Sequence, residues 1–550
     1  MSVNRRHFLA SGMAGAAAAA GCRPAHNAIV SEGGFVGTAL ERGHRLRDLL
    51  QSNIALPPPS HVHRTGVVIA GGGVAGLAAA RALRQRGMED FALLELEDTA
   101  GGNSRGGVTG GFACPLGAHY LPVPGDDAPE VQNFLEELGL RQRVAGRWQY
   151  AEQHLCHSPQ ERLYFQDEWQ EGLLPTQGVG PATLAQYRKF ASLVQQLRQT
   201  ARWSVPVRPG AVNPAQMHLA TLTFSTYLQQ NGLTDSHLGW YLDYCCRDEY
   251  GAGSATVSAW AGVHYFASRH GFHPPGADNG ERDSVLTWPE GNGWLTQRLA
   301  QPLGERLRSG QIVVRIAAVR GGVEVDALDA RSGELERWVG QRAIVALPVF
   351  VAAWVVENPP DFLRQAAAAV VYAPWLVANL QLDAPLHDRP GAPPSWDNVL
   401  YGSPGLGYVD AMHQSLQSVP AATVLTYYRA LGSVEGGANA GRKLLQNSGW
   451  LQWRDQILAE LSVAHPDLVH KTRRMDVTRY GHAMAIPIPH IQGQIGLRAP
   501  QSMRGQLSKS ERIASGYAPR WDRLTFAHSD WAGYSVFEEA FTMGHAAGSG

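Results

Sequence analysis

Three glycines in the stretch GVVIAGGGVAGLAAARALRQRG, namely Gly71, Gly73 and Gly76, stand in G-x-G-x-x-G spacing. The chemistry such spacing serves is the holding of a pyrophosphate. The first glycine makes a tight turn, the second lets the backbone approach the phosphates, and the third lets a helix pack closely on a strand. The helix N-terminus then faces the phosphate charge. These glycines need a strand before them and a helix after them. Val67 to Ala70 is a short β-type run, and an Ala/Leu-rich helical pattern follows with Val74 and Ala75 in its first turn. A second apolar run, FALLE, ends in Glu95. That acid lies roughly 20 residues past the glycines, where a carboxylate accepts hydrogen bonds from a ribose 2′-hydroxyl and repels a 2′-phosphate. NAD and FAD both carry such a ribose. The bland alternative is a glycine turn followed by an ordinary strand-end glutamate.

The next residues separate the two dinucleotides by resemblance. LELEDTAGGNSRGG resembles the LEAxxxxGGR signature of the flavin monoamine oxidase superfamily, which includes protoporphyrinogen oxidases and carotenoid desaturases. The resemblance implies that Leu96, Gly101, Gly102, Asn103, Ser104 and Arg105 follow the FAD diphosphate and ribityl chain. GGFACPLGAHYL is similar to the family segment beneath the flavin, which places Gly117, Ala118 and His119 there. WPEGNGWLTQRLAQPL resembles the family's P-x-G-x-x-x-L-x-x-x-L helix start. QIVVRIAAVRGGVEVDA, with Val314, resembles the adenine-side hairpin, and RAIVALPVFVAAWVV the strand returning to the dinucleotide sheet. LTFAHSDWAGYSVFEEAFTMGHAAG is similar to the closing FAGD…Y…MEGAxxSGxxAA block. There Asp530 falls on the ribityl-contacting acid, and Glu538, Glu539 and Ala540 on the turn below the pyrimidine ring. The implied fold is α/β, a discontinuous Rossmann-like FAD-binding domain joined to an α+β substrate domain, with FAD held noncovalently. Cysteine is absent after Cys246, so a C-terminal thioether to flavin is impossible.

Composition agrees with a large globular chain. Of 550 residues 44% are hydrophobic and 17% charged, enough for a buried core and two domains. A formal net charge of −1 gives no reason to expect nucleic acid as a partner. The five cysteines, Cys22, Cys114, Cys156, Cys245 and Cys246, lack metal-ligand spacing, and no metal site is expected. At the N-terminus Arg5-Arg6, then Phe8-Leu9 and an Ala/Gly run, read as a twin-arginine export signal. Ala20-Gly21-Cys22 resembles a lipoprotein cleavage site, so Cys22 is a candidate for acylation and membrane anchoring, although Ala19 stands where Leu is usual. The expected location is the periplasm.

The chain divides as follows: signal 1–22; linker 23–64 with one short amphipathic helix; FAD-binding domain 65–125, 286–360 and 505–550; helical and mixed substrate domain 126–285 and 361–504. EVQNFLEELGL and LAQYRKFASLVQQLRQTA carry apolar residues at i, i+3, i+4 and i+7, as amphipathic helices do.

Candidates for the reaction lie in the inserts. In the family the substrate sits on the flavin face between the domains and hydride leaves it for N5. Tyr244, Arg247, Asp248, Glu249 and Tyr250 read either as a substrate channel or as a buried aromatic core with an Arg-Asp pair. Tyr480 and His482, in RYGHAMAIPIPH, fall where the family places an aromatic residue before the flavin edge. Tyr534, with Trp531 and Tyr480, is a candidate for an aromatic cage around an amine. One departure stands out: the family lysine that holds a water against N5 is missing from YAPWLVANLQLDAP, where Asn379 or Val377 falls at its place. The chain's lysines, Lys189, Lys443, Lys471 and Lys509, are not near it in sequence.

The expected function is FAD-dependent dehydrogenation of a C–N bond in an amine or polyamine-like small molecule. The electron acceptor is oxygen or a quinone, and the missing lysine disfavours oxygen. The alternatives are a desaturase or dehydrogenase acting on a C–C bond with a quinone-like acceptor, and a flavin-binding protein without turnover.

Overall fold

The computed structural model describes residues 30–52, 56–207, 213–276, 284–387, 389–415, 419, 421–496 and 518–550. The export signal with Cys22 lies outside the described residues, as do residues 505–517 of the expected FAD-binding segment.

Val67–Ala70 has no polar residue and is buried on both faces, the pattern of a central parallel strand rather than an alternating one. It stands inside a six-stranded sheet in the order Leu307–Ser309, Phe91–Glu95, Val67–Ala70, Arg342–Val345, Leu524–Phe526, Arg520–Trp521. All neighbours in it are parallel except the last pair. The helix Val74–Gln85 crosses between the first two strands in sequence, and its alanines let it lie close. Against it packs the helix Phe537–Ser549. A Cβ on Gly544 would stand 2.0 Å from the Ala75 carbonyl oxygen, and one on Gly548 2.3 Å from that of Ala79, so the two backbones touch. A four-stranded sheet, Gln311–Val319, Gly322–Asp329, Leu335–Gly340 and His61–Arg64, lies alongside.

The second body is built on an eight-stranded sheet whose long strands are Thr472–Ile486, Val371–Leu382 and Thr423–Ala430. Their register sets Asn379 opposite Asp476 and Thr426, Val377 opposite Thr478 and Tyr428, and Trp375 opposite Tyr480 and Ala430. Side chains alternate between faces along a strand. One face is apolar: Leu376, Ala378, Leu380, Tyr427 and Val477 pack with Trp453, Ile457 and Leu461 of a covering helix. The opposite face, with Asn379, Thr426, Tyr428 and Tyr480, turns toward the dinucleotide domain. Helices Pro181–Thr200, Phe224–Gln230, Ser236–Tyr250 and Ala259–Ala267 form a separate wall.

The segment expected as a linker is different. Glu32–Phe35 pairs in parallel with the edge of the eight-stranded sheet, and His61–Arg64 with the edge of the four-stranded one. The helix Leu40–Gln51 lies between them. Arg42 donates to the Leu96 carbonyl at 2.8 Å, and the His63 ring stacks on Trp338 at 4.2 Å. Four-residue edge strands leave too short an alternation to read in HVHR; tertiary pairing makes them.

Candidate active site

The glycine positions separate into two kinds. Gly71 has φ +102°, and a Cβ there would lie 2.3 Å from the Ala346 carbonyl oxygen. A Cβ on Gly76 would lie 1.9 Å from the Gly71 oxygen. Both are glycines because protein occupies the space. Gly73 caps the helix Val74–Gln85 without any side-chain hydrogen bond, and a Cβ on it would meet nothing within 4 Å. Open space in front of a 12-residue helix's free amides, including those of Val74 and Ala75, suits an anionic group from outside the chain. The second glycine pair closes on the first. Gly101 donates to Gly72 O at 2.8 Å and bridges Gly73, and Gly102, with φ +58°, faces the Gly73 Cα.

Polar residues hold this loop from behind. Glu95 accepts from Gly72 N at 2.7 Å and Glu97 N at 2.8 Å. Burial raises its carboxyl above the ordinary value, and those two amides oppose the rise. Leu96 gives its carbonyl to Arg42. Arg105 returns to the Gly102 carbonyl at 3.0 Å, Ser104 gives its carbonyl to Thr296, and Asn103 donates to the Ala483 carbonyl across the domain boundary. Val314 is buried at a register shift between Val313 and Arg315.

Asp530 tests the fit of a flavin dinucleotide independently. It is almost wholly buried, and one oxygen accepts from Val349 N at 3.0 Å and the Tyr372 hydroxyl at 2.5 Å. The other has no hydrogen-bond partner among the described residues and faces only His528, at 3.1 Å. Burial pushes Asp530 up, but His528, Tyr372 and Val349 outweigh it, and the carboxyl sits below its ordinary value. An ionised acceptor with a vacant lone pair is what a ribityl hydroxyl would satisfy. Nearby, Glu538 and Glu539 occupy the first turn of the helix Phe537–Ser549, just ahead of Ala540. Burial raises both to about 7.

The sheet of the second body grips the segment Pro115-Leu116-Gly117 at three consecutive carbonyls. Asn379 Nδ2 donates to Pro115 O at 2.9 Å, the Tyr480 hydroxyl to Leu116 O at 2.9 Å, and the Tyr428 hydroxyl to Gly117 O at 3.0 Å. Thr426 completes the set by donating to Asn379 Oδ1 at 2.7 Å. Both ends of the Asn379 amide are therefore committed, as is the Tyr480 hydroxyl. These residues position the segment that carries Ala118 and His119. Lys189 and Lys443 are exposed, and Lys471 pairs with Asp467 at 2.7 Å, so no described lysine replaces the missing one.

Beyond that segment a set of deep side chains points to an interior chamber. His119, Tyr120, Asp248, Tyr265, Arg269 and Asp397 lie far beneath the outer surface, yet each keeps an accessible part. Groups so deep stay accessible only where they border an interior space. His119 stacks on Tyr428 at 4.4 Å and tilts against Trp396 at 5.4 Å, and Tyr120 meets Trp396 edge-on at 5.8 Å. Burial drives His119 down to about 3, which makes it a neutral wall and not a proton carrier near neutral pH.

The sequence candidates thus scatter. His482 lies against Phe350 and Tyr372, keeping part of its ring at the surface, and desolvation on the covered side with the Arg442 charge lowers it to about 4. Tyr534 is fully buried, its hydroxyl on Glu539 at 2.6 Å and its ring against Tyr250, Trp260 and His264. Trp531 packs on Phe362 and Phe526. The Tyr534 ring is therefore enclosed by other side chains, and Trp531 belongs to a cluster apart from Tyr534. Of the 244–250 segment, Tyr244 and Tyr250 are core, Arg247 pairs with Asp243 and Glu249 with Arg269, and only Asp248 faces the chamber. Trp396, Asp397, Tyr265 and Tyr428 were not singled out from sequence; isolated aromatic and acidic residues in PPSWDNVL or TVLTYYRA carry no spacing signal.

The model of the family described as flavin containing amine oxidoreductase matches residues 74–547. The chain belongs to this family. The family's description makes this chain a flavin-dependent oxidoreductase. Among solved structures it resembles putrescine oxidase bound to putrescine (TM-score 0.62, 16% identity, 89% of this chain and 99% of that one). It also resembles cyclohexylamine oxidase from Brevibacterium oxydans IH-35A (TM-score 0.60, 16% identity, 90% and 98%). At such identity the likeness is one of fold. L-amino acid dehydrogenase of Synechocystis sp. is 27% identical over 195 residues, 35% of each chain, so the match spans about a third of that curated relative. Among the described residues no cluster suits a metal ion, and no helix is long and apolar enough to cross a membrane.

Proposed function

We propose that the protein is an exported, FAD-dependent amine dehydrogenase that holds its flavin noncovalently and passes electrons to a quinone-like acceptor. The observation that supports the reaction is the chamber reached past Gly117–His119, walled by aromatic faces and carboxylates. Ring faces attract an ammonium by about 0.5–2 kcal/mol each, and the carboxylates add to that attraction. Flavin supplies the two-electron acceptor when bound. The amine, in its neutral form, would give a hydride from its α-carbon to that acceptor and leave an iminium, which water converts to a carbonyl compound and ammonium. The chain's own part is placement and exclusion of water: the three-carbonyl grip fixes the segment next to the chamber, and the neutral His119 closes one side of it.

Anaerobic mixing of the holoenzyme with a panel of primary amines tests this reading. Bleaching of the flavin band by an amine is expected, whereas bleaching only by an apolar polyene or a porphyrinogen would replace it with C–C desaturation. The acceptor reading rests on the family lysine's place, where by resemblance Asn379 or Val377 falls; the Asn379 amide is committed to Pro115 and Thr426, and a cation there would favour superoxide formation. Reduced enzyme should reoxidise faster with a soluble quinone than with oxygen at equal concentration; the reverse order overturns that part. Export and acylation at Cys22 are checked by Arg5→Lys with Arg6→Lys, which should retain the protein in the cytoplasm, and by loss of fatty-acid label in Cys22→Ala.

A further inference from the structure

The N-terminal segment crosses from one body to the other beside the end of the strand Phe91–Glu95. Arg454 donates to the Val30 carbonyl at 2.7 Å and the Val36 amide to the Val477 carbonyl at 2.9 Å, so the segment starts on the edge of the large sheet. Gly37, with φ +81°, turns it across. A Cβ there would lie 2.9 Å from the Thr478 hydroxyl oxygen and 3.2 Å from a methyl of Leu116, the middle residue of the gripped segment. Thr38 donates to the Arg479 carbonyl at 3.2 Å. The next residues reach the dinucleotide body. The Ala39 amide donates to both oxygens of Glu97, at 3.0 and 3.2 Å, and Arg42 donates to the Leu96 carbonyl at 2.8 Å and to the Asp98 carboxylate at 2.9 Å. Glu97 in turn faces the Arg105 guanidinium at 3.6 Å, and Arg105 reaches the Gly102 carbonyl.

These contacts fall on one stretch for a physical reason. Glu95, Glu97 and Asp98 crowd their carboxylates into one short turn, and their repulsion would spread it if nothing answered them. The Gly72 and Glu97 amides answer Glu95, the Ala39 amide and Arg105 answer Glu97, and Arg42 and Arg331 answer Asp98. The Arg42 side chain is 15% exposed and that of Arg331 72%, so Arg42 holds the turn while Arg331 only screens it. In a βαβ dinucleotide unit the acid at this strand end takes the adenosine ribose. Leu96, Glu97 and Asp98 follow it directly and so border the ribose.

We propose that residues 36–42 form a strap that retains the cofactor by its adenosine end. Arg42 and the Ala39 amide fix the turn from Leu96 to Asp98 in the shape that borders the ribose, and through Glu97 they steady Arg105 against the second glycine pair. Arg42 and Glu97 are positioning residues that act through this turn. The inference rests on the noncovalent FAD reading above and adds what keeps the cofactor in place. Linkage is reciprocal: a strap that tightens FAD binding is itself held down by bound FAD.

Two measurements read this: FAD release from the holoenzyme, followed by flavin fluorescence after dilution, and refilling of the stripped protein with FAD or FMN. FMN lacks the adenosine. Arg42→Ala is therefore expected to release FAD roughly ten- to hundredfold faster and to weaken FAD refilling by a similar factor, with FMN affinity changed less than about twofold. Arg42→Lys keeps the charge but cannot span both acceptors, and should fall between that variant and wild type. Arg331→Ala, the control at the same acid, should match wild type. Trypsin should cut at the exposed Arg45 and Arg47 faster in stripped wild type than in the holoenzyme. Wild-type FAD release from Arg42→Ala, equal losses for FAD and FMN, or equal cleavage with and without FAD each overturns the strap. The two readings fail differently: a wild type that refills with FMN as tightly as with FAD sinks the dinucleotide, whereas a preference for FAD that survives Arg42→Ala sinks the strap alone.

Discussion

The dinucleotide cradle and the chamber are built by opposite means. The cradle is backbone: Gly71, Gly73, Gly76, Gly101 and Gly102 bring strand, helix and loop within contact, and side chains matter mainly by their absence. The chamber is side chain, with each wall on a different element: His119 and Tyr120 after the gripped segment, Asp248 on one helix, Arg269 beyond another, and Trp396, Asp397 and Tyr428 from the large sheet. A backbone device fails as a unit and tolerates little. A side-chain device can lose one wall and change what it accepts, which is how one fold serves many substrates.

The sharpest way to break the comparison is to add a methyl group or more to the cradle. Gly76→Val puts Cβ 1.9 Å from a carbonyl oxygen, and about 3 kcal/mol or more of stability should go, with flavin content falling to near zero. Gly73→Ala is the control, since its Cβ meets no protein atom. The apoprotein should melt within about 1 °C of wild type, while flavin binds roughly ten- to hundredfold more weakly. A Gly73→Ala protein with full flavin affinity would show that the open space is not the phosphate site.

A smaller effect is expected at the grip. Asn379→Ala leaves the Pro115 carbonyl and the Thr426 hydroxyl without partners, and Tyr428→Phe leaves the Gly117 carbonyl so; each should cost about 1–3 kcal/mol. Amine turnover should drop further than melting temperature alone accounts for, because the segment beside the chamber is loosened. Asn379→Lys should destabilise in the same way rather than simply accelerate reaction with oxygen. If that variant melts like wild type and reacts faster with oxygen, the side chain has swung away from Pro115 and the grip is not rigid.

The smallest effect is one of pH. Glu538, Glu539 and Asp248 hold folded values near 7, above their unfolded values near 4 to 4.5. At these carboxyls the folded protein therefore binds more protons between those limits, and their contribution to stability falls as pH rises from about 5 to 7, while the histidines held neutral by burial, His119 and His482 among them, contribute in the opposite sense. Asp530 runs the other way: its value is lowered, so its contribution is present above about 4 and lost as pH falls through the folded value. Melting curves of the apoprotein from pH 5 to 8.5 should show wild type losing stability relative to Glu539→Gln as pH rises toward 7. A constant difference between the two curves would mean that this carboxyl is ionised in the fold.

The cradle was legible because its requirements are local. Gly71, Gly73, Gly76, Glu95 and the Gly101-Gly102 pair sit within one βαβ stretch, and steric rules tie each to a place. Asp530 was legible by its block. The grip and the chamber were not, since Tyr428 and Asp397 become neighbours of His119 only through sheet order, and no spacing records that. Tyr534 looked chemical from its type, but a fully covered ring with its hydroxyl on Glu539 is packing. The strands at 32–35 and 61–64 were invisible because four residues of edge pairing carry almost no pattern.

The contact between Gly544 and Ala75 also sets a schedule. During synthesis the helix Val74–Gln85 emerges hundreds of residues before Phe537–Ser549, and until that later helix arrives its small apolar face has no cover. The nascent cradle is therefore an exposed, glycine-weakened surface for most of translation, a natural site for chaperone engagement. Flavin can be captured stably only once the later helix has covered that face, so cofactor loading waits on a contact between segments far apart in the chain.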